Sequence, residues 1–482
     1  GSYDLEAVLD SGDRIRSHPL YLPALALIAV GALTKSAQFP FHFWLPHAMA
    51  APTPVSAYLH SATLVKAGVF LLARLWPALA GTDAWFWTVG TTGVATLLLG
   101  ACVAIFQHDL KGLLAYSTIS HLGLITLLLG LNTELGLVAA VFHTLNHATF
   151  KASLFMAAGI IEHETGTRDI RRLSGLNRFM PFTARLAMVA AGAMAGVPLL
   201  NGFLSKEMFF AEALWAPTPH PLIYDLMPVA AVIASAFSVT YSVRFIHDVF
   251  FGPNPVGLPR TPHEPPAWMR LPVAILVLAC IVVGVLPGPT VGPFLDPAVR
   301  SILGAATPQY SLTVWHGFSL PLLMSVVALT AGGALYLAIQ RRLLRDFRPA
   351  PWVPRLEARR IFERTMGFLS WRLARSLERL LGTRRLQPQL RLVLGVAALV
   401  AACTLYRRGL GPGNLVPAAV DPVLALVWMV GAGCALGAAW NAQSHRLSAL
   451  ILLGGAGLVT CVTFVWFSAP DLALTQLLVE IV

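Results

Sequence analysis

The sequence predicts an all-α fold: a polytopic membrane bundle with broken helices, followed by a carboxyl-terminal transmembrane module. Three observations carry this. Of 482 residues, 56% are hydrophobic and 12% charged, whereas a soluble domain carries roughly a quarter charged residues. Apolar segments of about 18 residues or more, each able to cross a bilayer core of ~30 Å, recur along the whole chain. Two of these segments place a proline or glycine beside a lysine, and non-helical backbone at membrane depth survives only where protein or water surrounds it.

The spans expected in order are 20–47 (broken), 54–76, 85–106, 112–131, 134–161, 181–213 (broken), 222–250, 269–287, 318–340, 389–407, 416–439, 446–467 and a partial one from 470. The net charge of +11 is uneven, because residues 341–388 hold 13 arginines against four acids, a local charge of +9. A basic segment between spans reads as a cytoplasmic loop under the positive-inside rule, not as a nucleic-acid site. Arg168, Arg171, Arg172 and Arg178 fall on the same side by parity, as do Lys111 and Arg446, while Asp83 falls outside and Arg407 and Arg408 are exceptions.

Within that segment, Leu356, Ile361, Phe362, Met366, Leu369, Leu373, Leu377 and Leu380 largely follow helical spacing with arginines opposite. This reads as an amphipathic helix along the membrane surface or along neighbouring helices, the alternative being a solvated basic loop. The domains expected are therefore 1–340, a linker 341–388, and a module 389–482 of short Ala/Gly/Leu-rich spans. Gly1 begins a polar stretch without an initiator Met, and Leu472–Val482 is half a span, so the chain reads as part of a longer protein. Cys102, Cys280, Cys403, Cys434 and Cys461 stand singly in apolar stretches and read as packing residues.

The stretch TKSAQFPFHFWLPHAMAAPTPVSAYLHSATLVKAGV, residues 34–69, organises the chain. Pro40 has no N–H, so the Ser36 carbonyl loses its helical partner and the helix must break or kink just past Lys35. A lysine beside a break is how transporters build an ion site at midplane; the alternative is a lysine snorkelling from a helix end. The next span carries His60 and Lys66.

Lysine at the centre of a membrane helix costs ~3 kcal/mol or more, so it needs a partner, water or a function. In residues 109–123 Lys111 stands at the mouth of its span, where an interface anchor is the alternative reading. Ser117 and His121 share a face at i, i+4, and Tyr116, Thr118 and Ser120 add hydroxyls that can carry protons. His143, His147 and Lys151 are spaced four and four, so they drift only ~40° per step and cover ~12 Å of helix. That stripe is a candidate proton wire, and Glu162 returns to nearly the same face. Pro198 and Gly202 are expected to interrupt a later span before Lys206, repeating the arrangement at Lys35 and suggesting two related halves. Glu207, adjacent and so ~100° away, is not expected to be the partner of Lys206. Asp471 and Glu480 are the candidate cation or proton carboxylates of the last segment, although Asp471 also fits the first turn of a helix.

The 34–69 stretch resembles the signature of the antiporter-like subunits shared by respiratory complex I and the Mrp-type multisubunit Na+/H+ antiporters. Its wording is closest to the large A subunits of the Mrp group. HETGTRDIRRLSGL (residues 163–176) and the ending SAPDLALTQLLVE favour the same group. The resemblance implies a subunit of a sodium (or potassium)/proton antiporter in a bacterial plasma membrane, multi-pass, working with other membrane subunits and without a cofactor or enzymatic activity of its own. It also implies that the partner of Lys35 is a glutamate upstream of this chain, that Lys111 is a relay lysine, and that residues 341–388 hold a lateral helix. The alternative within the fold is a proton-pumping subunit of a complex I-like NADH:quinone oxidoreductase. From another class, a membrane metalloenzyme using His143 and His147 as ligands is disfavoured, since one H-x-x-x-H pair makes a poor metal site.

Overall fold

A computed structural model describes residues 4–217, 221–344, 358–381, 386–408 and 421–481. The described residues are mainly helical, and their one extended pairing is an isolated bridge between Asp109 and Asp169. The chain forms two compact units, Gly1–Arg372 and Leu373–Val482. Among the described residues nine helical segments are long and apolar enough to cross a membrane. The protein is a membrane-embedded, multi-pass helical bundle.

In the first unit, α1 (Tyr21–Lys35) ends at the expected lysine, Ala37 adopts a positive φ of 49°, and short 3-10 and α turns carry the chain to Ala50. Next come α2 (Thr53–Ser61), α3 (Ala67–Arg74) and α4 (Thr91–Ile105). α5 (Leu110–Gly130) starts at Asp109, whose carboxylate accepts the Gly112 N–H at 2.8 Å, and is buried along nearly its whole length. α6 (Glu134–Thr165) runs back beside it and stops at left-handed Gly166. α4 and α5 pack backbone to backbone: a Cβ on Gly93 would lie 2.4 Å from the Leu127 nitrogen, and one on Gly123 would lie 2.4 Å from that of Leu97. Small residues at such crossings give membrane helices the van der Waals contact that replaces hydrophobic drive.

α7 (Pro181–Ala195) and α8 (Asn201–Trp215) are the two halves of the predicted broken span. The interruption lies at Gly196 and Leu199, both with positive φ, and includes Pro198. Gly202 corrects the sequence expectation, because it lies inside α8 and does not break it. A Cβ there would stand 1.8 Å from the Ala193 carbonyl, so glycine is needed for close approach. α9 (Pro221–Phe250), α10 (Ala267–Val285), α11 (Pro287–Leu303) and α12 (Leu320–Leu344) follow. No span is expected from the sequence between 287 and 318, where α11 lies. Pro287 opens it, where a missing N–H costs nothing. Pro293 and Pro297 lie on its exposed side, while Val291, Leu295, Val299 and Leu303 bury the other at i+4 spacing.

The basic segment contains α13 (Ala358–Gly367), a π-helical stretch Phe368–Leu373 and α14 (Ala374–Leu381). Phe362, Met366, Leu369, Leu373 and Leu377 are exposed. Leu356 and the side chains of Ile361 and Leu380 lie outside the described residues. The second unit continues with α15 (Leu386–Arg408), α16 (Pro422–Asn441), α17 (Arg446–Trp466) and α18 (Pro470–Ile481), and its apolar side chains are mostly exposed.

Candidate functional site

The four-residue spacing on α6 turns His143, His147 and Lys151 toward α5, which offers His121 and Ser117. All five are buried. His121 Nδ1 and His143 Nε2 share a hydrogen bond of 3.0 Å, with the rings stacked at 5.2 Å. The His147 ring lies 5.4 Å from that of His121 and 6.4 Å from that of His143. Neither of its nitrogens has a hydrogen-bond partner among the described residues. Lys151 donates to the Ser117 hydroxyl, to the Leu114 carbonyl at 3.4 Å and to Met194 Sδ at 3.3 Å.

Across the α7–α8 break, Lys206 donates to the Ala195 carbonyl at 2.9 Å and to Ser238 Oγ of α9 at 3.0 Å. The break frees the Ala195 carbonyl from helical pairing and presents it to the ammonium. His143 Nδ1 meets Ser205 Oγ at 2.9 Å, one residue from Lys206. Tyr241 of α9 bonds His121 Nε2 at 3.3 Å and stands one turn from Ser238 on the same helix. Lys66, in the turn just before α3, donates to the Thr144 carbonyl of α6 at 2.8 Å and lines a cavity of about 390 Å³. Thus Lys66, Lys151 and Lys206 are held by carbonyls, hydroxyls and a thioether. None of the three forms an ion pair with a described residue.

The other predicted residues separate from this group. Lys35 is exposed at the end of α1, ahead of its break, whereas Lys206 follows its own. His60 is buried against Phe155 with both nitrogens unpartnered among the described residues. Lys111 ion-pairs with Glu162 at 3.0 Å and donates to the Ala51 carbonyl at 3.2 Å. Glu162 therefore meets Lys111, not Lys151. Thr53 donates to the same carboxylate at 2.9 Å, and Arg168 joins Glu162 (3.7 Å) to Asp109 (3.1 Å). Lys111, Glu162 and Arg168 line a cavity of about 740 Å³ with His163, Pro52 and Trp268, and Asp109, Glu162 and Arg168 line a polar one of about 530 Å³. In the following loop Arg171 hydrogen-bonds Asp169 and holds its carboxyl below the ordinary value, against the push of burial. Glu207 faces His316 at 3.9 Å rather than Lys206. Asp471 is exposed in the first turn of α18, where the helix dipole satisfies it. The side chain of Glu480 lies outside the described residues.

Sequence reasoning missed a second buried group. Arg244 bonds Asp248 at 3.4 Å, the Ile105 carbonyl, and His108 at 3.1 Å. Asp248 in turn accepts from Tyr336, and Tyr336 meets His247 at 2.8 Å. An Arg and an Asp at i, i+4 near the end of a span were the available signal. Ser205, Ser238 and Tyr241 were missed because a hydroxyl in a membrane helix is common and gives no pattern.

Residues 1–231 match the family described as NADH:quinone oxidoreductase/Mrp antiporter, TM. All nine lysines and histidines of the sequence-predicted relay fall within that stretch, while Ser238, Tyr241 and the Arg244 group lie beyond. Residues 424–482 match the family described as the D subunit of MBH. Over its full length the chain is 65% identical to the probable K(+)/H(+) antiporter A/B subunit of Rhizobium meliloti, spanning 48% of that protein. It is 37% identical to the A subunit of the Na(+)/H(+) antiporter of Alkalihalophilus pseudofirmus and spans 62% of it. The chain thus spans about half to three-fifths of the length of these relatives. In the structure of the Mrp complex from Dietzia sp. DQ12-45-1b, a chain 35% identical matches 97% of this one, over 50% of its own length, with a TM-score of 0.64. The resemblance read from residues 34–69 is thereby borne out.

Proposed function

We propose that this chain is the ion-translocating part of the large membrane subunit of a monovalent cation/proton antiporter in a bacterial plasma membrane, a secondary transporter and not an enzyme. The observation that carries the reading is the line of buried bases, Lys66, Lys151 and Lys206 around His121, His143 and His147, supported by dipoles and not by carboxylates. A base held this way can gain or lose a proton without breaking an ion pair. Protons pass along the line by hydrogen-bond exchange, with Lys206 as its terminal group. The Lys111–Glu162–Arg168–Asp109 group stands at the cytoplasmic mouth, where arginine-rich loops also gather. Lys35, exposed beside its break, takes its counter-charge from outside this chain. Sodium or potassium is the exchanged cation, and other membrane subunits complete the assembly. Relatives named as antiporter subunits support the reading.

The test is an imposed pH gradient across proteoliposomes holding the complete complex, with no electron donor. Sodium or potassium should then move against protons, and Lys35→Ala should lose the coupled exchange in both directions. If the wild-type complex moves ions only when a quinone reductant is supplied, the redox-pump alternative replaces this one.

A further inference from the structure

We propose that the hydroxyl of Tyr241, together with Ser238, is the proton bridge between the histidine cluster and Lys206. This rests on the relay reading above and adds two members that carry no charge. The histidines and Lys206 must exchange protons if both belong to one path, and two routes join them. Through Ser205 the route stops: His143 Nδ1 reaches Ser205 Oγ, but that hydroxyl donates to the Gly202 carbonyl at 3.3 Å. Ser205 and Lys206 are neighbours on a helix and project ~100° apart.

Through α9 the route runs by a serine and a tyrosine on one helix face, and it closes when the Ser238 hydroxyl turns to Tyr241, with every hydrogen pointing one way. Lys206 donates to Ser238 Oγ at 3.0 Å, Tyr241 follows Ser238 by three residues on α9 and so shares its face, and Tyr241 donates to His121 Nε2 at 3.3 Å. His121, its Nε2 accepting, carries its hydrogen on Nδ1 and donates to His143 Nε2 at 3.0 Å. His143 then carries its hydrogen on Nδ1 and donates to Ser205. Between the ends of the line, Ser238, Tyr241, His121 and His143 can each make one donation and one acceptance, as a proton wire requires, while Lys206 as ammonium only donates. Tyr241, His121 and His143 are sealed from solvent, and Ser238 and Lys206 are 4% exposed, so water does not simply replace the bridge.

One passage is written as follows. Lys206 as ammonium gives a proton to Ser238 Oγ, Ser238 gives its own hydrogen to Tyr241 Oη, and Tyr241 gives its own to His121 Nε2. Three N–H or O–H bonds break and three form. Lys206 ends as the amine and His121 as the imidazolium, with both hydroxyls neutral. The Ser238 hydroxyl has a second acceptor, the Met194 carbonyl at 3.3 Å. Pointing there it opens the wire, and turning to Tyr241 closes it.

Tyr241→Phe keeps the ring and removes the bridge; Ser238→Ala removes the adjoining link. Tyr336→Phe deletes another buried phenol hydroxyl away from the line and serves as the control. In the assembled complex, cation-driven proton movement in Tyr241→Phe should fall about tenfold or more, with a larger H2O/D2O rate ratio, because proton transfer becomes limiting. Ser238→Ala should do the same, and Tyr336→Phe should leave the rate ratio at the wild-type value. Tyr241→Phe exchanging within about twofold of wild type at an unchanged rate ratio would overturn the bridge. So would a similar loss in Tyr241→Phe and Tyr336→Phe with neither ratio altered. A wild-type complex that exchanges nothing under an imposed gradient refutes the antiporter reading itself, a result distinct from either.

Discussion

The buried bases of the bundle fall into two regions built on opposite principles. At the end of α5 and α6, Lys111 and Arg168 are tied to Glu162 and Asp109, and near the end of α9 Arg244 is tied to Asp248. In the middle, Lys66, Lys151 and Lys206 touch carbonyls, hydroxyls and sulfur. A carboxylate at salt-bridge distance fixes a base in its charged form. Such a residue braces the structure or holds a mouth in shape. A base supported by dipoles keeps both protonation states accessible. On the proposed relay, pairing separates the cations that hold helices from those that would pass protons, and residue type alone does not.

The largest effect expected from that contrast is at Lys206. Lys206→Ala should abolish cation-dependent proton movement while the complex still assembles. Lys206→Arg should fail equally, because guanidinium does not deprotonate in this pH range. Near-normal exchange by either variant removes Lys206 from the mechanism. At Asp248 the expected damage is to the fold: Asp248→Asn leaves the arginine charge buried without its carboxylate, which costs about 3–5 kcal/mol. Thermal unfolding of the purified complex measures it, and an unshifted transition would show that the Ile105 carbonyl and His108 suffice for Arg244. Lys111 lies between these cases. Lys111→Arg keeps the charge facing Glu162 and should retain most of the exchange, whereas Lys151→Arg should lose it. Equal outcomes at the two positions would break the distinction between paired and unpaired bases.

Much of this is legible in the sequence because membrane helices must satisfy their own backbone. Long apolar segments give the spans, and His143, His147 and Lys151 share a face by arithmetic alone. The break before Lys206 is legible from Pro198, but its true hinge at Gly196 is not, and Gly202 misleads because a glycine for close packing looks the same as a glycine for a turn. The Lys111–Glu162 pair joins residues far apart in the chain, and nothing local marks it. α11 is hidden by prolines that its exposed side tolerates. Tyr241 is invisible for a different reason: its role depends on the packing of other helices, which deliver His121 and Lys206 to the face that holds Ser238.

The smallest effect, and the most specific, is expected at His147. Its ring is buried beside His121, His143 and Phe150, and neither nitrogen is bonded to a described residue. Replacement by glutamine therefore breaks no visible hydrogen bond and leaves the His121–His143–Tyr241 connection in place. If His147 is a side store that takes up and returns protons, its loss matters most when protons are scarce. Exchange by His147→Gln should then fall a few-fold at alkaline pH and approach the wild-type rate at acidic pH, since general acid–base groups contribute in proportion to the protonation they sustain. A loss of the same size at every pH would mean that the ring only fills space. His143→Gln, which cuts the bond to His121, should lower the rate across the whole range, and the two pH profiles measured side by side distinguish a member of the line from a group beside it.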